Sequence, residues 1–290
     1  MTDFAAGQAS RRWPPQPSLW TVPPVLVLAI LFFYPLALIV RQSLGDEGTI
    51  SLQYFSEVFA SREFHRGIFN TITIALGSTV GCLFLGFALS VTIAFVPFPG
   101  SRFAGRLIET FIALPTFLVT LAFTFIYGSA GILNESLMSL FGSDLPPVDF
   151  LYSKWGVMLA EITVYTPFVM RPLLASFSLI DHSQIEVASS LGARPARIVR
   201  QVIFPAALPA LVAGGSLCLL LTVNEFGIVL FIGARDVITL PMMIYGKAIQ
   251  EFDYVTACVV AVVNVVLSLG LYSFYRFIVA YFGGSRAGLV

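Results

Sequence analysis

Over its 290 residues the chain is 57% hydrophobic and only 11% charged, which excludes a soluble domain of this length and requires several segments that meet lipid. Its 16 basic and 16 acidic residues cancel, so the overall charge offers nothing to a nucleic-acid partner. The three cysteines, Cys82, Cys218 and Cys258, fall in apolar runs with no paired or CxxC spacing, which argues against a disulfide framework and against a zinc site.

Residues 1–18 are polar, with Arg11-Arg12 and a proline-rich run, and read as a cytoplasmic tail. A twin-arginine export signal is disfavoured because no small-residue cleavage site follows the next apolar stretch. Leu19 to Val40 is long enough to cross a hydrocarbon layer of about 30 Å at about 1.5 Å per residue. Its Pro23, Pro24 and Pro35 predict an irregular or tilted helix. The connector Arg41 to Arg66 is amphipathic and acidic, and completes a first unit over 19–66. Gly67 to Val96 forms a second span, in which Gly77 and Gly81 make a small-xxx-small face suited to internal packing. A third runs from Leu107 to Tyr127 with Pro115 near its middle. Gly128 to Lys154 reads as an outer loop with a short amphipathic helix at Gly131 to Phe141. Trp155 to Leu179, Ala210 to Ile232 and Tyr254 to Phe282 are the fourth, fifth and sixth spans, and 283–290 is a tail. The chain is thus predicted to be an all-α, polytopic membrane protein with six transmembrane helices, five of them in a core over 67–282.

Six spans put both ends on one side of the membrane. Arg11, Arg12, Arg102, Arg106, Arg194, Arg197, Arg200 and Arg286 all fall on that side, and the positive-inside rule makes it the cytoplasm. The opposite loops hold most of the carboxylates together with Arg41, Arg62, Arg66, Lys154, Arg235 and Lys247.

The polar stretch between the fourth and fifth spans, 180–207, is far longer than a minimal connector. Ser183 and Glu186 stand three apart and predict a capping box at the start of a helix. Gly192 can leave that helix through a left-handed conformation, and Pro195 suits the first position of a second one. Pro205 and Pro209 mark the return to apolar sequence.

No G-x-x-x-x-G-K-[ST] occurs, nor HExxH or GxSxG, so energy for any transport must come from another polypeptide or from an ion gradient. His65 and His182 are too far apart to suggest a local metal motif. Ionisable groups inside spans are costly and tend to line cavities or to pair. Glu161 and Arg171 on the fourth span, ten residues or about 15 Å apart, cannot pair directly. Asn224, Glu225, Phe226 and Gly227 sit within the fifth span, where the glycine permits a kink. For Glu225 a wall or gate of a path and a structural hydrogen bond to a neighbouring helix both stand open, as they do for Glu161, Arg171 and Asn264.

Glu186-Val187-Ala188, then Gly192, then Val202-Ile203-Phe204-Pro205, resembles the EAA loop of inner-membrane permeases of binding-protein-dependent ABC importers, with Val187 for the usual first Ala and Val202 and Phe204 for Ile and Leu. Asn70-Thr71, Leu114-Pro115 and Gly131-Ile132-Leu133-Asn134 look like the same family's core. The segment from Asn224-Glu225-Phe226-Gly227 through Thr239-Leu240-Pro241 to Asp253-Tyr254 is similar to the branch handling phosphonates, sulfate or molybdate, ferric iron, thiamine and polyamines, with 2-aminoethylphosphonate permeases nearest in pattern.

The resemblance implies a bacterial inner-membrane complex of two permease subunits, two cytoplasmic ATPase subunits that use ATP and Mg, and a periplasmic substrate-binding protein, with no cofactor in this chain. It implies that 180–207 is a coupling loop carrying Ser183, Glu186, Val187, Ala188, Gly192, Ala193 and Pro205. There Glu186 would cap and orient the lever, Ala188 would keep its contact face slim, Gly192 would form the elbow and Pro205 would fix where motion enters the membrane. An ion-gradient-driven secondary transporter is the rival class; its inverted repeat is not visible in the sequence.

Overall fold

The computed structural model describes residues 17–45, 50–234 and 237–283. The expected tails therefore lie largely outside the described residues. Among the described residues there is no strand, and six helical segments are long and apolar enough to cross a membrane.

Helix α1, Pro17–Ser43, runs unbroken through Pro23, Pro24 and Pro35. Its side chains from Val22 to Val40 are mostly exposed, and it rests on the last helix of the chain. That is stable only where the surrounding solvent is itself apolar.

After the short α2, Gln53–Ala60, helix α3 extends over Arg62–Phe95. Ser61 caps it by accepting the Phe64 N–H at 3.2 Å, which moves its start five residues ahead of the expected Gly67. At about 51 Å, α3 is longer than the hydrocarbon layer needs.

Helix α4, Ser101–Phe111, and α5, Thr116–Tyr127, replace the single third span expected over Leu107 to Tyr127. Pro115 has no N–H to donate and drives Leu114 out of helical geometry, so α4 ends in a turn and α5 restarts one residue after the proline. Twelve residues of α5 give only about 18 Å, and the apolar stretch continues as Thr116–Phe141 into α6, Ile132–Phe141. Asn134, fully buried, closes the joint. Its Nδ2 donates to the carbonyls of Gly128 at 2.9 Å and Val148 at 2.7 Å, and its Oδ1 accepts the Val148 N–H at 3.0 Å.

Helix α7, Lys154–Phe177, is the most buried span. Helix α8, His182–Ser190, and the single turn α9, Pro195–Ile198, form the polar connection. From α9 the helix does not stop. A π turn over Val199–Ile203, in which the Phe204 N–H reaches the Val199 carbonyl, leads straight into α10, Phe204–Val223. The fifth span is therefore Pro195–Val223 rather than Ala210 to Ile232. Residues 224–226 break it, and α11, Gly227–Ile232, follows as a separate piece. Helix α12, Leu240–Tyr245, and a second π turn, Gly246–Gln250, precede α13, Tyr254–Gly283.

The centre of the molecule is the three-way packing of α3, α7 and α10. Small residues bring the backbones together: a Cβ on Gly81 would overlap the Ile162 side chain, and one on Gly214 would stand 3.0 Å from Val169 Cα. The Gly77–Gly81 face thus serves internal packing, as its spacing predicts. The far end of α3 is tied to the chain before α12, with Asn70 Nδ2 donating to the Ile238 carbonyl at 2.9 Å and the Leu240 N–H donating to Thr71 Oγ1 at 2.9 Å.

Because the neighbour at Gly214 is backbone, which cannot yield by a rotamer change, Gly214→Val is expected to destabilise the bundle by about 1–3 kcal/mol, read as a lower unfolding temperature in mild detergent. Gly270→Val, where nothing lies within 4 Å, should leave that temperature unchanged.

Candidate functional site

Two places combine polar side chains with interruptions of the helical ladder. At the α8–α9 connection, the N-cap is Asp181, whose Oδ1 accepts the Ser183 N–H at 2.9 Å. The expected Ser183–Glu186 capping box does not form. Ser183 is already the second residue of α8 and Glu186 lies in its middle, exposed. Asp181 wins because a carboxylate both accepts a free N–H and meets the positive end of the helix dipole. An Asp two residues before the Ser is a cap signal legible in the sequence, and it overlaps the Ser183–Glu186 pattern.

The C-terminal end of α8 follows the sequence expectation. Gly192 has φ +79°, the Gly192 N–H donates to the Ser189 carbonyl at 2.9 Å, and the Ala193 N–H donates to the Ala188 carbonyl at 3.1 Å. These two bonds are the Schellman pair that satisfies the last carbonyls of a helix and turns the chain through a fixed angle. Pro195 then opens α9, and the Ile198 N–H donates to the Arg194 carbonyl at 3.1 Å.

The connection is therefore a rigid elbow. Ile185, Ala188 and Ala193, each partly buried, pack against the same core cluster as Ile198 and Phe177. The outward face presents Val187 at 59% and Leu191 at 83% exposure, four residues apart and so adjacent on the helix surface. Leu191 carries no polar pattern or motif and was not singled out from the sequence. Pro205 does not restart the chain, since the helix already runs through it by way of the π turn.

The second place is the break at 224–226. Asn224, Glu225 and Phe226 lie in the gap between α10 and α11 instead of inside a span. Glu225 is buried, with its Oε2 accepting the Tyr165 hydroxyl of α7 and its Oε1 accepting the Ile228 N–H at 2.8 Å. It thereby supplies the cap that α11 would otherwise lack. Gly227 leaves room for this, since a Cβ there would lie 3.3 Å from Glu225 Oε1. Asn224 Oδ1 accepts from Asn264 Nδ2 of α13 at 3.0 Å, while its own Nδ2 donates to the Leu220 carbonyl at 2.9 Å. The Phe226 ring packs on Tyr245 with centroids 4.9 Å apart. One short break is thus pinned to α7, α12 and α13.

Glu161 is 1% exposed, with Ser78, Cys82 and Glu225 as polar neighbours. Its Oε2 and the Ser78 hydroxyl have no hydrogen-bond partner among the described residues. Tyr165, which joins the two halves of this interior site, was not picked out from the sequence because its partner is sixty residues away. Arg171 is not brought to this cluster. It is exposed and lines a cavity of about 340 Å³ between α4 and α7.

A six-span helical bundle with a rigid polar elbow at one end and pinned helix breaks within it is the architecture of a transport permease. The description "binding-protein-dependent transport system inner membrane component" matches residues 83–282, and the chain belongs to that family. It is a permease subunit of an ABC importer, a multi-pass membrane protein and a transporter component in place of an enzyme, and not the gradient-driven carrier that the sequence left open.

A protein of Salmonella typhimurium (strain LT2) provisionally named a 2-aminoethylphosphonate transport system permease, PhnU, is 64% identical over 262 residues, covering 90% of this chain and 92% of its own length. The PhnU of Salmonella choleraesuis stands at the same identity and coverage. A Prototheca wickerhamii protein, named on a similar provisional footing a sulfate transport system permease, cysT, is 31% identical over 69% of this chain and 76% of its own length. In three dimensions the chain is similar to a bacterial ABC transporter involved in the import of the acidic polysaccharide alginate, with a TM-score of 0.78 at 19% identity over 90% of this chain and 94% of that one. A methionine ABC transporter in an inward-facing conformation gives 0.57 over 76% and 95%.

Removing the Glu225 carboxylate leaves the buried Tyr165 hydroxyl and the Ile228 N–H without partners. Glu225→Ala and Tyr165→Phe should each lower bundle stability, with a coupling energy of about 1–2 kcal/mol in a double-mutant cycle measured by thermal unfolding in detergent. Additive effects would mean that the contact does not hold the break in place.

Proposed function

We propose that this subunit, with a second permease identical or homologous to it, forms the path of an inner-membrane importer for 2-aminoethylphosphonate. Two separate ATPase chains, which bind ATP and Mg, drive it, and a periplasmic binding protein delivers the solute. The observation that carries the solute is the 64% identity across 90% of the chain to relatives named for that compound. Relatives named for sulfate stand at 31%, and sulfate or molybdate, ferric iron, thiamine and polyamines are the remaining choices. A solved alginate transporter bound to its periplasmic protein supports a binding protein as the kind of partner on the outer face.

On this reading both termini and the elbow lie in the cytoplasm, in agreement with the arginines of the 101–106 and 194–200 segments. Val187 and Leu191 form the small apolar knob that enters a groove of the ATPase, and Glu186 flanks it. When the ATPases close, the knob is pushed. The Schellman turn at Gly192 and the packing of Ile185, Ala188 and Ala193 resist bending, so the displacement passes through α9 and the π turn into α10. Pro205 sits where that motion reaches the membrane. At the other end of α10, Asn224, Glu225, Phe226 and Gly227 hold α11, and Glu161 lies behind them; these form the wall or gate on which the displacement acts.

The solute assignment is tested by uptake of labelled 2-aminoethylphosphonate in cells that carry the whole system. Excess unlabelled compound should suppress it and excess sulfate should not; suppression by sulfate alone would reverse the assignment. For the lever, Leu191→Asp should reduce both co-isolation of the ATPase and solute-stimulated ATP hydrolysis by at least about tenfold at equal permease abundance. Gly192→Val, which forces a branched side chain to φ +79°, should reduce stimulated hydrolysis more than it reduces abundance. Equal losses would point to misfolding and away from a lever.

A further inference from the structure

Arg171 has no counter-ion among the described residues. It lies on α7 six residues before Phe177, so about 9 Å of helix separates it from the end of the span. No carboxylate pairs with it among the described residues, where the ion pair is Lys247–Glu251 on the connector before α13. A guanidinium within a span is costly unless it reaches water or an anion, and Arg171 is exposed toward the space beside α4.

The space in front of it is defined. The cavity of about 340 Å³ is walled by Gly105 and Ile108 of α4, by Ile112 in the turn that follows it, and by Pro167, Met170 and Leu174 of α7. Gly105 and Ile108 stand three apart on one face of α4, and every wall apart from Arg171 is apolar. The volume falls at the lower end of the ~300–1,000 Å³ typical of small-molecule sites, which combine apolar walls with a few placed polar groups. The planar guanidinium carries parallel N–H donors that match two oxygens of a phosphorus or carboxylate oxyanion.

We propose that Arg171 is a binding residue of the translocation path that holds the phosphonate group of the solute as it passes between α4 and α7. The proposal rests on the solute reading above and adds to it the residue that senses the anion. Two sources could supply a phosphorus oxyanion at this depth, a passing phosphonate and a lipid phosphate drawn inward; the solute is the ligand proposed. Apolar walls leave the two-carbon chain of such a solute uncontacted by charge, and a single cation gives one weak hold that can be released. Release matters in a path, where tight binding would stall transport.

The test uses the complete complex, with both ATPases and the binding protein, reconstituted once in phosphatidylcholine alone and once with phosphatidylglycerol added. At equal permease abundance, Arg171→Gln should lower 2-aminoethylphosphonate uptake at least about tenfold in both lipids, and Arg171→Lys should recover part of it, since lysine keeps the charge but loses the fork. Uptake by Arg171→Gln within twofold of wild type would overturn the proposal. A loss seen only with phosphatidylglycerol would also overturn it, by making an anionic lipid headgroup the ligand.

A second measurement does not depend on transport. Phenylglyoxal modification of Arg171, read by mass spectrometry, should be slowed by methylphosphonate and not by ethylamine; no protection would overturn the site. If the wild-type complex takes up no 2-aminoethylphosphonate, the solute assignment fails while the protection result still judges Arg171.

Discussion

Lipid offers no hydrogen bonds, so each place where a helix of this protein stops inside the membrane must have its backbone groups satisfied by the protein itself. That requirement explains the placement of several buried polar side chains. Asn134 uses both ends of its amide to close the joint between α5 and α6. Glu225 caps α11 while accepting from Tyr165. Thr71 and Asn70 receive and donate for the chain that leads into α12. The breaks are fixed points, and those at Glu225 and at Asn70–Thr71 join elements distant in sequence.

The central bundle obeys a second consequence of the same solvent. Apolar side chains gain little by leaving lipid for protein, so association relies on close packing and on small residues. Gly81 and Gly214 let α3, α7 and α10 approach until side chains meet backbone. The elbow of α8 and α9 is anchored to that bundle through Ile185, Ala188 and Ala193, so force applied outside the membrane has a stiff route inward. The pinned break lies at the opposite end of α10 from the elbow, and one continuous helix connects the two.

Much of this was legible in the sequence, for reasons that differ by residue. Gly192 and Pro195 announce their geometry because a positive φ and a fixed φ are properties of single residues, and the structure contains both. The six apolar segments were visible because each is a run. Boundaries were less so: Pro115 split the third span, and the fifth span begins fifteen residues before Ala210, because a π turn carries the helix through polar sequence that reads as loop. Asp181 was overlooked in favour of Ser183 because two cap patterns overlap within three residues. What the sequence could not show was pairing across the bundle. Tyr165 with Glu225, Asn264 with Asn224 and the cavity in front of Arg171 depend on which faces meet, and no local spacing encodes that.

The π turn at Val199–Ile203 has a consequence for how this chain can change over evolutionary time. An i to i−5 bond accommodates one residue beyond the α-helical repeat, and at 3.6 residues per turn one residue is about 100° of azimuth. The turn therefore sets the phase of α10, deciding which of its faces looks at α3 and α7. Loss of a single residue there would rotate Gly214 and Thr222 away from their neighbours even where the residues of α10 itself are unchanged, so length in this short segment is constrained more tightly than composition.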